Sequence, residues 1–90
     1  MNNTRRKEIE KLMHNIEELM EMITTVKLQA EEILEQEQEY LDNIPENLQS
    51  SERYEKAEAA VESLETAVDM IDDAISNMDD ARDSLEDATA

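Results

Sequence analysis

The chain has 90 residues, with no glycine, no cysteine, one proline and only two aromatic residues, both tyrosines. Acidic residues number 25 against 8 basic residues, which gives a formal net charge of −17 at pH 7. A chain this short buries too little surface to enclose a roomy active site, and its charge repels nucleic acid and anionic membranes. We therefore expect no enzymatic activity, no cofactor, and no direct binding to nucleic acid or to a membrane.

Helix one is predicted from about residue 4 to about residue 41, with Asn3 or Thr4 as its cap. Its apolar residues recur alternately every three and four positions, which is the seam of a coiled coil. The predicted seam comprises Ile9, Leu12, Ile16, Leu19, Ile23, Val26, Ala30, Ile33, Glu37 and Tyr40. A neighbouring row widens the apolar stripe to the width that a bundle needs and comprises Met13, Met20, Lys27, Leu34 and Leu41.

The pattern breaks in a connector predicted at about residues 42–50. Pro45 has no amide hydrogen and disfavours helical geometry in Ile44, so helix one ends before it. Ser50 or Ser51 then caps helix two. Both helices have nearly equal lengths, and a short connector between such helices predicts an antiparallel hairpin within one domain.

Helix two is predicted at about residues 51–88 and divides into seven-residue lines that almost superimpose. A strict seven-residue repeat is typical of a left-handed coiled coil. One column contains alanines. The predicted seam of helix two consists of two other columns, which are Val61, Val68, Ile75 and Arg82, and Leu64, Ile71, Met78 and Leu85.

Charges predict the register of the hairpin. If facing positions have numbers that sum to about 94, every seam residue meets another seam residue. Basic residues near the start of helix one then lie beside acidic residues near the end of helix two. We expect Lys7 near Asp87 and Lys11 near Asp83, each pair contributing about 0 to 1 kcal/mol.

Apolar rows beside the seam stay uncovered in one hairpin. The simplest way to cover them is for two copies to dimerise into a four-helix bundle, and the alternative is docking onto a foreign helix. The residues assigned to the interface between copies are Ala60, Ala67, Ala74, Ala81, Met13, Met20 and Leu34.

Neither a metal site nor a catalytic site is predicted. His14 is the only histidine, falls on the outer face, and lacks the paired Glu-x-x-His motifs of di-metal bundles. The recurring acid pairs lack the glycine turn of a calcium loop, and exposed carboxylates lack the pocket that acid–base catalysis needs.

Acidic residues are the predicted partner-binding surface. From residue 58 to 87 the spacing is about one carboxylate per 4 Å of helix, and one DNA strand carries a charge about every 3.4 Å, which favours mimicry of nucleic acid; a charged face is also what any solvated coiled coil carries. The connector end has no basic residue between Lys27 and Arg53. The assigned residues are Glu31, Glu32, Glu35, Glu37, Glu39, Asp42, Glu46, Asp72, Asp73, Asp79 and Asp80.

Tyr40 and Tyr54 lie at this same end. They either stack across the seam or anchor a bound partner.

The connector and the following helix, DNIPENLQSSERYEKAEAAVESLETAVDMIDDAI, preceded by RRKEIEKL, resemble short acidic helical proteins encoded by phages and prophages of Gram-positive bacteria. The resemblance implies a small protein in the cytoplasm of a bacterial host. It implies that the protein binds a host protein with a basic surface and inhibits it, as an anti-defence inhibitor. The alternatives are a scaffold or adaptor in phage assembly and a sponge for small signalling ligands.

Overall fold

The computed structural model describes all residues, 1–90, and contains two long helices. α1 runs from Asn3 to Asp42 and α2 from Glu52 to Ala88, within one residue of the predicted bounds. The Asn2 side chain accepts a hydrogen bond from the Arg5 amide at 2.8 Å, so the cap lies one residue before the predicted position. Ser51 Oγ accepts one from the Tyr54 amide at 3.2 Å, as predicted. Both caps satisfy amides that a first helical turn leaves free.

The connector contains one turn of 3-10 helix, Glu46–Leu48, directly after Pro45. Ile44, before the proline, is only 3% exposed, and the other buried residues of the chain are Ala57 and Val61 in the first turns of α2. The tightest packing is therefore at the connector end of the molecule.

The two helices pack against each other along their length as an all-α hairpin without strands. The molecule measures 69 × 15 × 14 Å, so it is a long, narrow rod. This confirms the predicted fold class. The four-helix bundle stays a prediction.

The side of α1 that faces α2 differs from the predicted seam. Its half-buried residues follow two rows, which begin Ile9, Ile16, Ile23 and Met13, Met20, Lys27. The row predicted beside Ile9 is exposed instead, at 42 to 53%, and comprises Leu12, Leu19, Val26, Ile33 and Tyr40. Three apolar rows run along α1, beginning at Ile9, Leu12 and Met13. An alternating spacing of three and four residues fits the Ile9 row paired with either of the other two, and the predicted pairing with the Leu12 row was wrong.

The predicted seam of α2 is correct. Val61 is buried, and Leu64, Val68, Ile71, Ile75, Met78, Arg82 and Leu85 are half-buried. Because α2 has alanine on one flank of its seam and acids on the other, only one pair of large apolar rows is available to face α1.

The predicted ion pairs at the free end do not form. No ion pair joins Lys7 to Asp87 or Lys11 to Asp83. The one ion pair between the helices joins Lys27 Nζ to Asp72 Oδ1 at 2.7 Å, whereas a sum of about 94 would place Lys27 opposite Ala67. The basic residues at the start of α1 therefore form no ion pair with α2.

Candidate functional site

The hairpin has two different long faces, and side chains at the seam show which rows belong to each. On one side, Lys27 reaches Asp72, and Glu31 and Leu34 share a cleft with Glu65. On the other side, five apolar side chains line an open cleft of about 290 Å³: Leu19, Met22, Ile23, Val26 and Met78. Helical periodicity then extends each face along both helices.

The side with Lys27 and Asp72 is defined here as the acidic face. Its two rows on each helix offer twenty positions, of which fifteen are carboxylates. On α1 they are Glu10, Glu17, Glu21, Glu31, Glu35 and Asp42, and on α2 they are Glu55, Glu58, Glu62, Glu65, Asp69, Asp72, Asp79, Asp83 and Glu86.

The opposite side, defined here as the uncharged face, has seventeen positions between Leu12 and Tyr40 of α1 and between Ala60 and Ser84 of α2, and none of them is charged. Its rows on α1 are Leu12, Leu19, Val26, Ile33 and Tyr40, and Asn15, Met22, Gln29 and Gln36. Its rows on α2 are Ala60, Ala67, Ala74 and Ala81, and Ser63, Met70, Asn77 and Ser84. The same rows carry charges only at the starts of the helices, at Arg5, Glu8, Arg53 and Lys56. In a chain with 37% charged residues, this segregation is the strongest feature of the surface.

Two cations partly neutralise the acidic face. Lys27 pairs with Asp72 and, at 3.6 Å, with Glu31. Its hydrogen bond to the Asp72 carboxylate is the main cause that raises the pKa of the Lys27 ammonium above its usual value. Arg82, from the seam of α2, pairs with Asp79 and Asp83 on its own helix. The other carboxylates of this face have no ion-pair partner.

The structure divides the predicted acidic site residues among several surfaces. Five of them share the acidic face: Glu31, Glu35, Asp42, Asp72 and Asp79. The outward backs of the helices carry four more, which are Glu32, Glu39, Asp73 and Asp80. Glu37 is half-buried in the row that faces α2, and Glu46 lies in the connector turn.

Four carboxylates in the middle of the acidic face were not among the predicted site residues. They are Glu58, Glu62, Glu65 and Asp69, and all are exposed. The spacing of three and four that puts them in two adjacent rows is visible in the sequence, but the partner rows on α1 depend on which flank of α1 faces α2.

The predicted interface residues also divide. Ala60, Ala67 and Ala74 are half-buried and Ala81 is exposed, all on the uncharged face. Met13, Met20 and Leu34 are instead half-buried in a row that faces α2. These three residues were assigned to a second chain because they were predicted to flank the seam, and that reason is wrong because they lie in the seam. The exposed row that begins at Leu12 lies beside the alanines instead.

The tyrosines lie at the connector end of the hairpin. The Tyr40 hydroxyl accepts a hydrogen bond from Arg53 Nε at 2.6 Å, and the guanidinium lies 5.3 Å from the ring centroid. Tyr54 is half-buried. Arg53 therefore holds the exposed Tyr40 ring at the end of the uncharged face.

Carboxylates of Asp79, Asp80 and Asp83 lie close enough together to contact one cation. Arg82 already occupies two of these carboxylates. His14 is exposed on the acidic face, and its Nε2 lies 3.1 Å from Glu18 Oε1. Both features are those of an ordinary charged helix surface.

Neither helix contains a segment that is both long and apolar enough to cross a membrane. Comparisons of the chain with protein-family models, with curated proteins and with solved structures return no match.

Proposed function

We propose that the protein works by binding another protein through its acidic face. The observation that supports this is the segregation of charge: fifteen carboxylates on one face, with two cations among them, and no charge on the opposite face between Leu12 and Tyr40 of α1 and between Ala60 and Ser84 of α2. The backs of the helices also carry acids, which serve solubility, whereas the dense array of carboxylates on the acidic face is suited to a basic partner.

The target is a basic surface on a host protein, and the setting is the cytoplasm of a bacterium that carries a phage or prophage. A rigid rod of carboxylates competes with the phosphates of a nucleic acid for the same basic groove. The expected result of binding is inhibition of a DNA-binding defence protein, by occupation of its groove rather than by chemistry.

The test compares two variants with the same change in net charge. One replaces four central carboxylates of the acidic face, Glu58→Gln, Glu62→Gln, Glu65→Gln and Asp69→Asn. Its matched control replaces four on the backs of the helices, Glu32→Gln, Glu39→Gln, Asp73→Asn and Asp80→Asn. Each tagged protein is used for affinity capture from a bacterial lysate at several salt concentrations.

We expect the wild type and the control to capture the same protein, with capture falling steeply as salt rises, and the acidic-face variant to lose it. Equal retention by both variants, or equal loss, would contradict a role for this face. The captured protein is then assayed with and without the purified hairpin to measure inhibition.

A second candidate function is a scaffold or adaptor role, which the uncharged face favours. In that case the apolar rows are the working surface and the acids only prevent aggregation. Ala67→Gln with Ala74→Gln then abolishes assembly, and both four-acid variants keep it.

A further inference from the structure

A single hairpin leaves an unusually large surface in contact with water. Its accessible surface is 6727 Å² for a mass of 10.4 kDa, whereas a compact monomer of this mass exposes about 5400 Å². Only three residues are buried, while Leu19, Val26 and Ile33 on the uncharged face stay about half exposed. The molecule therefore has room to bury a further apolar face.

We propose that a second copy of this chain covers the uncharged face, running in the opposite direction, so that the two connectors lie at opposite ends of a four-helix bundle. In this arrangement α1 packs against α1 of the other copy, and α2 against α2. The proposal does not depend on the proposed function, because it uses the face opposite to the acidic one.

The size of the face fits a second copy. From Leu12 to Tyr40 it extends about 42 Å along α1, and two helices side by side are about 20 Å wide. This gives about 800 Å² per copy, the area that a standard protein interface buries on each partner. A chain with a net charge of −17 can pack against itself only through a surface without carboxylates, and the uncharged face is such a surface.

The α1 row is also self-complementary when one copy is reversed. Centred on Val26, it places Leu12 opposite Tyr40 and Leu19 opposite Ile33 of the other copy, with Val26 opposite its own equivalent. In the neighbouring row Asn15 then lies opposite Gln36 of the other copy, and Met22 opposite Gln29. A twofold interface requires this kind of symmetry.

Charges at the two ends favour the reversed direction. Arg5, in the same row as Leu12, and Lys11, on the back of α1, form no ion pair within the chain. Reversal brings Arg5 beside Glu46, and Lys11 beside Glu39, at the connector end of the other copy. The opposite choice, with both connectors at one end, would place two acidic connectors side by side.

The first test measures mass and direction. The wild-type chain should sediment with twice its mass of 10.4 kDa. Because the chain has no cysteine, single-cysteine variants report one contact each. Val26→Cys should form an intermolecular disulfide quickly under mild oxidation. The matched control Leu28→Cys, similarly exposed in one chain but on the acidic face, should not.

A monomer at about 100 μM would overturn the proposal, since interfaces of this size commonly bind more tightly than that. The arrangement would be overturned by a dimer in which the Leu28→Cys variant cross-links as fast as the Val26→Cys variant. It would equally be overturned by a dimer in which the Val26→Cys variant does not cross-link.

The second test exchanges charges between the ends. One variant carries Arg5→Glu and Lys11→Glu; the other carries Glu39→Lys and Glu46→Lys. Each should self-associate at least about tenfold more weakly at low salt, and a mixture of the two should form heterodimers that restore wild-type affinity. Failure of the mixture to restore association would contradict the reversed direction, because only that direction pairs these two ends.

Discussion

The acidic face and the uncharged face are made from the same two helices, and they differ only in which heptad rows each one presents. Fifteen of twenty positions are carboxylates on one side, and none of seventeen is charged on the other. The seam between them is apolar on α2 except for Arg82, and on α1 it is interrupted by Lys27 and Glu37. The contrast teaches that composition describes this surface poorly, because an average of 37% charged residues conceals two faces of opposite character.

The largest effect is expected from a substitution that places a charge on the uncharged face. Val26→Glu would bury an unpaired carboxylate beside its symmetry equivalent, at a cost of about 3 to 5 kcal/mol. We expect sedimentation to show a monomer at concentrations where the wild type is dimeric.

The matched control is Leu28→Glu, which adds the same charge to the acidic face. It should leave the dimer intact and lower its affinity by less than about threefold, through added repulsion alone. A monomer produced by both substitutions would show that net charge, and not the face, controls association.

A second substitution tests the packing that holds the hairpin together, at a residue that belongs to neither face. Ile44→Ala removes most of a buried side chain at the connector and should lower the free energy of unfolding by about 2 to 4 kcal/mol. Urea denaturation checks this. Leu48→Ala, in the same connector but 42% exposed, is the control and should change stability by less than about 1 kcal/mol.

Much of the fold could be predicted from the sequence, because each step depends on local chemistry. Pro45 ends helix one, Ser51 starts helix two, and the heptads require a partner helix, so the bounds were predicted within one residue. The seam of α2 was also correct, since its flanks are alanine on one side and acid on the other.

The rotation of α1 could not be predicted in the same way. Its three apolar rows fit two seams equally well, so their spacing does not decide which two rows face α2. The prediction wrongly placed Leu12 and Val26 in the seam and Met13 and Met20 outside it. The uncharged face was therefore not recognised from the sequence. The ion pairs predicted at the free end failed because they depended on the same register.

A third prediction concerns the repulsion among carboxylates on the acidic face. The four-acid variant of the acidic face, containing Glu62→Gln and Glu65→Gln, should melt roughly 5 °C higher than the wild type at low salt, or about 1 kcal/mol, because neighbouring carboxylates repel each other. Thermal denaturation followed by circular dichroism measures this. The difference should shrink at about 0.5 M NaCl, where the repulsion is screened, and a difference that persists would point to helix propensity instead.

The smallest expected effect concerns the one ion pair between the helices. The raised pKa of Lys27 means that its stabilising contribution is fully present below pH 10.5, the usual value, and is lost as pH rises through the raised folded value. The difference in the free energy of unfolding between the wild type and Lys27→Met that is due to Lys27 should therefore be constant between about pH 8 and about pH 10. It should change only above that range. Urea unfolding of both proteins at each pH checks this.

Solvent exposure of methyl groups in the intact protein tests the two-faced account most directly. In a single chain Val26 and Leu28 are 48% and 62% exposed, so a soluble paramagnetic probe would broaden their methyl NMR signals to similar extents. We predict that at high protein concentration the Val26 methyls are protected severalfold relative to those of Leu28, which stays open on the acidic face. Equal broadening of the two residues at all concentrations would contradict the account.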